Sequence, residues 1–251
     1  MTELFQKLCR KGSRQWVVEG DIKGCFDNIN HNHITDTLKS WHVTNGINQS
    51  ISLMLKSKIF YEGNMTASEK GTPQGGVISP LLANVALTTL DEFCQQFGRK
   101  TVSPIVRYAD DFAIVCESKP MAMIIKARVA RHLQEMVGLE LSDDKTHITH
   151  ITDGFNFLGF NFRKYKERNI GVSDEKVLLI KPQSEKANDF RYKLKEILKE
   201  CKSSTQEVVI RKINPVIMGW GNYYRHVVSK ATFAQLDNHI WHKLYQWSRD
   251  K

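Results

Sequence analysis

The chain has 251 residues, of which 41% are hydrophobic and 25% charged, and it carries a formal net charge of +9. This composition is ordinary for a folded globular protein with one large domain or two small ones, and the positive charge favours a polyanionic partner. The sequence contains no apolar stretch of roughly 18 residues and no signal-peptide core, so we expect neither a membrane span nor secretion. The five cysteines are scattered without a CxxC pair, which predicts reduced thiols in a cytoplasmic protein.

The first predicted elements are a strand followed by helices. Residues 15–22 (QWVVEGDI) have the composition of a strand. Residues 31–42 carry apolar side chains at helical spacing, and this pattern places Trp41 on the buried face of a helix. Residues 79–97 predict a second, longer helix with Ser79 as its N-cap and a proline at its first position.

Strands and one more helix follow. The hexapeptide RYADDF at 107–112 stands between apolar segments, which predicts two short strands that meet at adjacent aspartates. Residues 121–138 predict a helix that ends at Gly138. Segments 146–152 and 155–162 alternate with period two and predict strands. This order of elements predicts an α+β fold, in which helices cover an antiparallel sheet.

The chain changes character near residue 180. Beyond it lie three segments with apolar side chains at helical spacing: 185–204, 207–227 and 232–248. Pro215 predicts a kink or a restart in the second helix, and Thr232 begins a capping-box pattern in the third. We therefore expect two domains, 1–180 and 181–251, of which the second is a basic three-helix module.

The adjacent aspartates in RYADDF require an explanation, because a buried carboxylate costs several kcal/mol without a cation, a hydrogen bond or a metal. One interpretation of Asp110 and Asp111 is a hairpin turn that faces water, since aspartate is common in turns. The other is a metal site. Asp21 ends a second strand, and if the two strands are neighbours, the carboxylates offer the oxygen ligands that Mg²⁺ prefers.

Five segments occur in an order that we recognise: GDIKGCFDNINH, GTPQGGVISPLLANVALTTLD, RYADDF, LELSDDKT and FNFLGF. Together they resemble the reverse transcriptases encoded by group II introns, and INPVIMGWGNYYR resembles the maturase, or thumb, segment of these proteins. The resemblance covers nearly the whole chain. It implies a right-hand polymerase palm followed by a helical thumb/maturase module. It also implies RNA-directed DNA synthesis from intron RNA, a DNA primer and dNTPs, with two Mg²⁺ ions.

The resemblance implies roles for individual residues. The catalytic carboxylates would be Asp21, Asp110 and Asp111, and these three with the carbonyl of Ile22 would bind the metal ions. The nucleotide site would consist of Phe26, Gln74, Gly75 and Lys145. In it Phe26 would exclude a 2′-hydroxyl, although plain core packing also explains this residue. The primer grip would consist of Phe157, Leu158 and Gly159, and RNA would contact Lys193, Lys195, Lys199 and Arg225.

Two features leave alternatives open. Only twenty residues precede Asp21, where this family has a fingers region, so we expect a fragment, a trimmed descendant, or half of a split enzyme with a fingers-bearing partner chain. The basic helices also fit a non-catalytic RNA-binding splicing maturase. A third alternative is another palm-type enzyme. Phe26 argues against an RNA-copying polymerase, and the maturase-like segment argues against retron-like and diversity-generating reverse transcriptases.

Overall fold

The computed structural model of the protein describes residue 8 and residues 14–57, 59–61, 64–66, 69–72, 76–97, 101–166 and 176–250. It divides into two compact units, Met1–Ile151 and Thr152–Lys251. Each unit combines helices with antiparallel strands, which confirms the predicted α+β class. Within the described ranges, none of the helices has both the length and the apolar character needed to cross a lipid bilayer.

The first unit is built around a mainly antiparallel sheet. In chain order its elements are β1 (Trp16–Gly20), α1 (Cys25–Asn28), α2 (His31–Ser40), α3 (Asn45–Leu55), β2 (Ile59–Tyr61), β3 (Asn64–Thr66), α4 (Ser79–Gln95), β4 (Val106–Tyr108), β5 (Asp111–Cys116), α5 (Lys119–His132), a π-helical turn (Leu133–Val137) and β6 (His147–His150). The described strands of the main sheet run in the order β4-β5-β1-β6, and β2 pairs with β3 in a separate hairpin. The strands that end at the aspartates, β1 and β5, are therefore the central pair.

The main core lies between this sheet and the helices. Val18 on β1 faces its register partner Ile114 on β5, and both belong to one buried cluster with Leu90 of α4 and Val129 of α5. Each buried aliphatic side chain of this kind contributes about 1.5–3 kcal/mol of transfer free energy. The two central strands beside the aspartates are therefore anchored in the main core of the unit.

The second unit consists of a small sheet and a helical bundle. Its elements are β7 (Phe155–Phe157), β8 (Phe160–Lys166), β9 (Lys176–Pro182), α6 (Ser184–Glu200), α7 (Gln206–Tyr224) and α8 (Lys230–Arg249). The three helices expected from the sequence are present, and Leu194 and Ile213 belong to their common core. The sheet joins the compact unit of these helices, and the ring of Phe160 stacks on Tyr223 of α7 at 5.0 Å. The domain boundary near residue 180 stays a prediction.

Two predicted details of the first unit are wrong. The α2 helix ends at Ser40, and Trp41 is 46% exposed instead of lying on the buried face. His42 follows with a φ of 58°, so the chain leaves the helical path before the Trp41 side chain is covered. Ser79 is not the N-cap of α4 either, because it is the first residue of that helix and Ile78 precedes it without a side-chain cap.

Two details of the helical module also differ from the expectation. The α8 helix begins at Lys230, because Ser229 already accepts a hydrogen bond from the backbone N–H of Phe233 and so starts the first turn before Thr232. Pro215 lies inside a continuous α7, so the predicted restart is wrong, and the alternative of a kink stays a prediction. The proline is on the exposed side, where water can satisfy the carbonyl that lacks an N–H partner.

The described cysteines are free and buried. Burial raises the pKa of the Cys25, Cys94 and Cys116 thiols to about 12, so these side chains stay protonated and behave as small apolar groups. Cys201 is buried in the helical module, and Cys9 lies outside the described residues.

Candidate active site

Asp21 and the aspartate pair meet at one end of the central strands. β1 and β5 are antiparallel with Gly20 opposite Phe112, so Asp21 follows one strand where Asp111 begins the other. The pairing leaves no space for a side chain at residue 20, since a Cβ there would lie 2.5 Å from the ring of Phe112. The glycine before Asp21 thus allows the close strand contact that brings the carboxylates together.

The turn between β4 and β5 carries Asp110. Tyr108 pairs with Asp111 across this hairpin, and Ala109 between them has a φ of 54°, in the left-handed region. A non-glycine residue rarely adopts this conformation without support from its surroundings. Arg107 gives that support, because its Nη1 donates a hydrogen bond of 3.0 Å to the carbonyl oxygen of Ala109.

Arg107 is itself held by α4. Its Nε and Nη2 donate to the two carboxylate oxygens of Asp91 at 2.9 and 2.5 Å, and its Nη1 also donates to Asn84 Oδ1 at 2.9 Å. The arginine side chain is only 9% exposed. The charge of Arg107 is therefore compensated by Asp91, and the arginine serves to fix the hairpin turn. Sequence reasoning missed both residues, although the arginine stands at the start of RYADDF.

Lys145 reaches Asp21 through a second backbone pairing. The segment before the lysine runs beside the residues around Asp21: Ser142 N–H donates to the Asp21 carbonyl, and Lys23 N–H donates to the Glu140 carbonyl, both at 2.9 Å. This brings Lys145 Nζ to 3.1 Å from Asp21 Oδ2. The hydrogen bond to Asp21, reinforced by the charge of the carboxylate, raises the pKa of Lys145.

The carboxylates act on one another electrostatically. The pKa of Asp111 is raised first by burial, then by repulsion from Asp110 and Asp21, and the nearby Lys145 opposes this shift. The three aspartates thus share one region of negative potential. Of the two interpretations of RYADDF, the hairpin turn is present, and its aspartates also lie beside the third carboxylate.

A cavity of about 550 Å³ opens at this end of the sheet. Among the residues that line it are Asp21, Ile22, Phe26, Gly76, Asp110 and Lys145. Asp111 is half-buried beside it and is not one of the lining residues. The structure thus brings together five of the residues to which the family resemblance assigned metal or nucleotide binding.

The chain is firmly held just before Gln74 and Gly75. Both residues lie outside the described ranges. Just before them, Thr72 N–H donates to the Phe26 carbonyl at 2.6 Å, and Gly71, with a φ of 82°, has no room for a Cβ, which would lie 2.6 Å from the Asp27 carbonyl oxygen. Thr72, the last described residue before Gln74, is therefore held directly beside the residue expected to contact the sugar.

The position of Phe26 is compatible with both interpretations that the sequence left open. Its ring is half-buried and packs against the main core, and the residue also lines the cavity. Core packing fixes the ring, and a fixed ring is what a steric filter for the nucleotide sugar requires.

The donor chemistry of the cavity fits magnesium, because carboxylates and backbone carbonyls are hard oxygen ligands. Asp21, Asp110 and Ile22 all line it. Over the ranges that the structure describes, no three histidine, cysteine, aspartate or glutamate side chains are arranged as a metal centre. At Asp21 the compensating positive charge is that of Lys145.

The expected primer grip forms a tight turn between β7 and β8 of the second unit. Leu158 and Gly159, at the centre of the turn, both have positive φ values of 51° and 77°. Two hydroxyls from α7 hold it: Tyr223 donates to the Leu158 carbonyl at 2.8 Å and Tyr224 donates to the Gly159 carbonyl at 3.1 Å. Phe157 on β7 is buried.

The residues expected to contact RNA lie in the helical module. Lys193, Lys195 and Lys199 are exposed on α6, and Arg225 follows the last residue of α7. Lys195 and Lys199 line a cavity, whereas Lys193 does not. Tyr224, the last residue of α7, is buried and so is not among these exposed residues.

Two family models match the chain. The reverse transcriptase (RNA-dependent DNA polymerase) model matches residues 1–162, and the group II intron maturase-specific domain model matches residues 187–251. The group II intron-encoded protein LtrA of Lactococcus lactis subsp. cremoris is 28% identical, over 85% of this chain and 49% of its own length. Protein YkfC of Escherichia coli strain K12 is 29% identical, over 76% of this chain and 57% of its own. The chain thus spans about half the length of these relatives.

Solved structures show the same architecture at lower identity. Telomerase from Candida albicans, in complex with a TWJ fragment of telomeric RNA, matches with a TM-score of 0.55 at 14% identity. The match covers 98% of this chain and 46% of the telomerase chain. Telomerase from Candida tropicalis, in a complex with the same kind of RNA fragment, matches with a TM-score of 0.53 at 12% identity. This match covers 97% of this chain and 45% of the telomerase chain. These likenesses confirm the polymerase fold expected from the sequence.

The two family matches agree with the site. The reverse transcriptase model covers the sheet and the cavity, which is more than half of the chain, and the maturase model covers the helices that follow. The chain therefore belongs to the family of group II intron reverse transcriptases and maturases.

Proposed function

We propose that this chain catalyses RNA-directed DNA synthesis and that its helical module binds intron RNA. In the reaction, the 3′-hydroxyl oxygen of a DNA primer attacks the α-phosphorus of a dNTP, the bond to the β-phosphate breaks, and pyrophosphate leaves. The observation that carries the proposal is one cavity shared by Asp21, Asp110, Lys145 and Phe26. These are the groups that a polymerase needs for metal binding, charge neutralisation and sugar selection.

The carboxylates are proposed to hold two Mg²⁺ ions. Asp21, Asp110 and the Ile22 carbonyl would be the ligands, and Asp111 would complete the set from its half-buried position beside the cavity. Bound Mg²⁺ neutralises charge on the triphosphate and on the attacking and leaving oxygens. The contribution of the protein is to fix the carboxylates on packed central strands, since phosphoryl transfer depends mainly on positioning and electrostatics.

Two further side chains are proposed to act on the nucleotide. The ammonium group of Lys145 would contact the triphosphate and donate a proton from Nζ to the leaving pyrophosphate. The ring of Phe26 would lie against C2′ of the sugar and exclude a 2′-hydroxyl. Gln74 and Gly75 are proposed to lie near the incoming nucleotide and the primer end, because the loop that carries them begins beside the Phe26 carbonyl.

The turn of Phe157, Leu158 and Gly159 is proposed as the primer grip. A grip must present backbone in a fixed shape to the primer. The hydrogen bonds from Tyr223 and Tyr224 support this role, since they restrain the carbonyls at both central positions of the turn.

A second candidate function is RNA binding in intron splicing without catalysis. The exposed lysines of α6 favour it, and Lys193, Lys195, Lys199 and Arg225 are the proposed RNA contacts. RNA binding by the helical module is compatible with catalysis at the cavity, so the second function differs from the first only in lacking DNA synthesis. They separate in experiment, because the aspartates serve only catalysis and the basic residues serve RNA binding.

The test is Mg²⁺-dependent primer extension on an RNA template by the wild-type chain and by Asp21→Asn and Asp110→Asn variants. Each change removes a negative charge from the cavity with little change in volume, so activity should fall by at least about 100-fold. Asp36→Asn is the matched control, because Asp36 pairs with Lys39 on the surface and should extend primers like the wild type. If either aspartate variant had wild-type activity, the replaced aspartate would not be a catalytic ligand. An inactive wild-type chain that still binds RNA would favour the second function.

A further inference from the structure

A second cavity lies in the helical module, between α6 and α8. Its volume is about 230 Å³. The charged and aromatic residues that line it are Lys195, Lys199, Lys202, Lys243, Trp247 and Asp250. Four lysines thus surround a space with a single carboxylate, which is a strongly positive environment for so small a volume.

Helix geometry explains why these lysines converge. Lys195, Lys199 and Lys202 follow each other at spacings of four and three residues, which places them on one face of α6 and of the turn after it. Lys243 meets them from α8. Lys193 belongs to the same helix, but it lies two residues before Lys195 and is exposed outside the cavity.

The positive charge of this cavity is poorly compensated. Within the described part of the chain, Lys195, Lys199 and Lys202 form no ion pair. The nearby Glu200 pairs instead with Lys212, at 3.7 Å. Lysines that surround one space repel each other, and an anion bound among them relieves this repulsion.

The wall of the cavity is rigid. The Trp247 indole Nε1 donates to the Cys201 carbonyl at 3.0 Å, and its ring packs against the core that contains Leu198. The hydrogen bond and the core contact fix the tryptophan, so its N–H group does not face a ligand. Donors for a ligand therefore come from the lysines, whose compact ammonium groups bind phosphate as point charges.

We propose that this cavity binds backbone phosphate groups of RNA. The inference rests on the proposed RNA-binding function and names the place where the phosphodiester is held. The volume is several times the roughly 30 Å³ of one water molecule, which is enough for a phosphate group and part of the adjoining sugar. The proposal thus gives Lys195 and Lys199 a larger share of RNA affinity than Lys193. It adds Lys202 and Lys243 as phosphate contacts.

The experiment compares two double variants that each remove the same amount of charge. The cavity variant is Lys199→Gln with Lys243→Gln. The control is Lys186→Gln with Lys230→Gln, which also changes one exposed lysine on α6 and one on α8 and touches none of the proposed RNA contacts. The full chain is titrated with a short single-stranded RNA, and with DNA of the same sequence, at several salt concentrations. Circular dichroism verifies that the helices are intact.

Phosphate binding releases counterions, so the slope of log affinity against log salt should decrease by roughly 0.7 for each phosphate that is no longer neutralised. We expect the cavity variant to bind RNA roughly tenfold more weakly, with a slope smaller by about 1.4, and the control to change much less. Arginines at positions 199 and 243 should restore most of the affinity. Tighter binding of RNA than of DNA would identify RNA as the natural ligand, and equal binding would indicate that the cavity reads only the phosphodiester.

Three results would overturn the proposal. The first is a cavity variant that binds RNA with the affinity and slope of the control. The second is displacement of RNA by an acidic peptide at the same charge concentration, which would indicate a general anion site. The third is a wild-type chain with no salt-dependent RNA affinity, and only this result removes the proposed RNA-binding function as well. Loss of primer extension in Asp21→Asn is independent of all three.

Discussion

Replacement of Asp91 by alanine tests the arginine that fixes the hairpin of Asp110 and Asp111. Without the carboxylate, Arg107 loses two charge-assisted hydrogen bonds and keeps its bonds to Asn84 Oδ1 and the Ala109 carbonyl. Removal of one partner of a buried ion pair costs about 3–5 kcal/mol, because the other charge remains without compensation. The Arg107 side chain is 9% exposed but that of Asp91 is 30% exposed, so some water can replace the carboxylate. We therefore expect Asp91→Ala to lower the free energy of unfolding by about 3 kcal/mol, the lower limit of this range.

The free energy of unfolding would be measured by urea denaturation, with tryptophan fluorescence as the signal. Asp36→Ala is the matched control. Both partners of its ion pair with Lys39 are exposed, so loss of this pair should lower the free energy of unfolding by less than about 1 kcal/mol. A second variant, Asp91→Leu with Arg107→Met, removes both charges and should be less destabilised than Asp91→Ala alone. The reasoning is refuted if Asp91→Ala costs no more than Asp36→Ala, or if the double variant is the less stable one.

The other predictions concern the nucleotide, the primer and pH. Phe26→Ala should relax the preference for dNTPs over NTPs in primer extension, and an unchanged preference in a folded variant would contradict the steric filter. Tyr223→Phe removes a hydrogen bond worth about 1 kcal/mol, so the KM for primer–template should rise several-fold with kcat nearly constant; an unchanged KM would separate this turn from primer binding. Burial lowers the pKa of His132, which stacks on Phe93, so the folded state favours the neutral ring and stability should be lost as the pH falls below 6.5. His132→Phe should reduce this acid sensitivity in urea denaturation at about pH 7.5 and about pH 5, and equal sensitivity in both proteins would exclude His132 as its source.

Elements with a regular apolar pattern could be predicted from the sequence. The strands around RYADDF and the three helices after residue 180 follow from the pattern of apolar residues, because the predicted core positions are buried or half-buried in the structure. The α3 helix was not predicted. Its buried Asn48 breaks the apolar pattern, and the Asn48 side chain is buried because it donates to the Thr35 carbonyl of the preceding helix. A partner of this kind cannot be read from local composition.

The contacts that organise the site are distant in sequence. Lys145 and Asp21 are 124 residues apart, and Arg107 and Asp91 are 16 apart on different elements. Apolar periodicity locates the faces of helices and strands, but it does not say which charged side chains meet once they pack. The resemblance to a family supplied Lys145. Arg107 was missed because its role depends on the left-handed conformation of Ala109, which only the structure shows.

The tyrosine hydrogen bonds to the β7–β8 turn have a consequence for genetic studies of this chain. Tyr223 and Tyr224 belong to the segment that matches the maturase-specific domain, and the turn that they hold belongs to the segment resembling the primer grip. Under the proposed primer-grip role, a substitution at either tyrosine is expected to alter DNA synthesis even though it maps to the maturase-specific segment. Screens that assign splicing and DNA-synthesis phenotypes by domain would misclassify such alleles, and a hydroxyl-only change to phenylalanine would identify them.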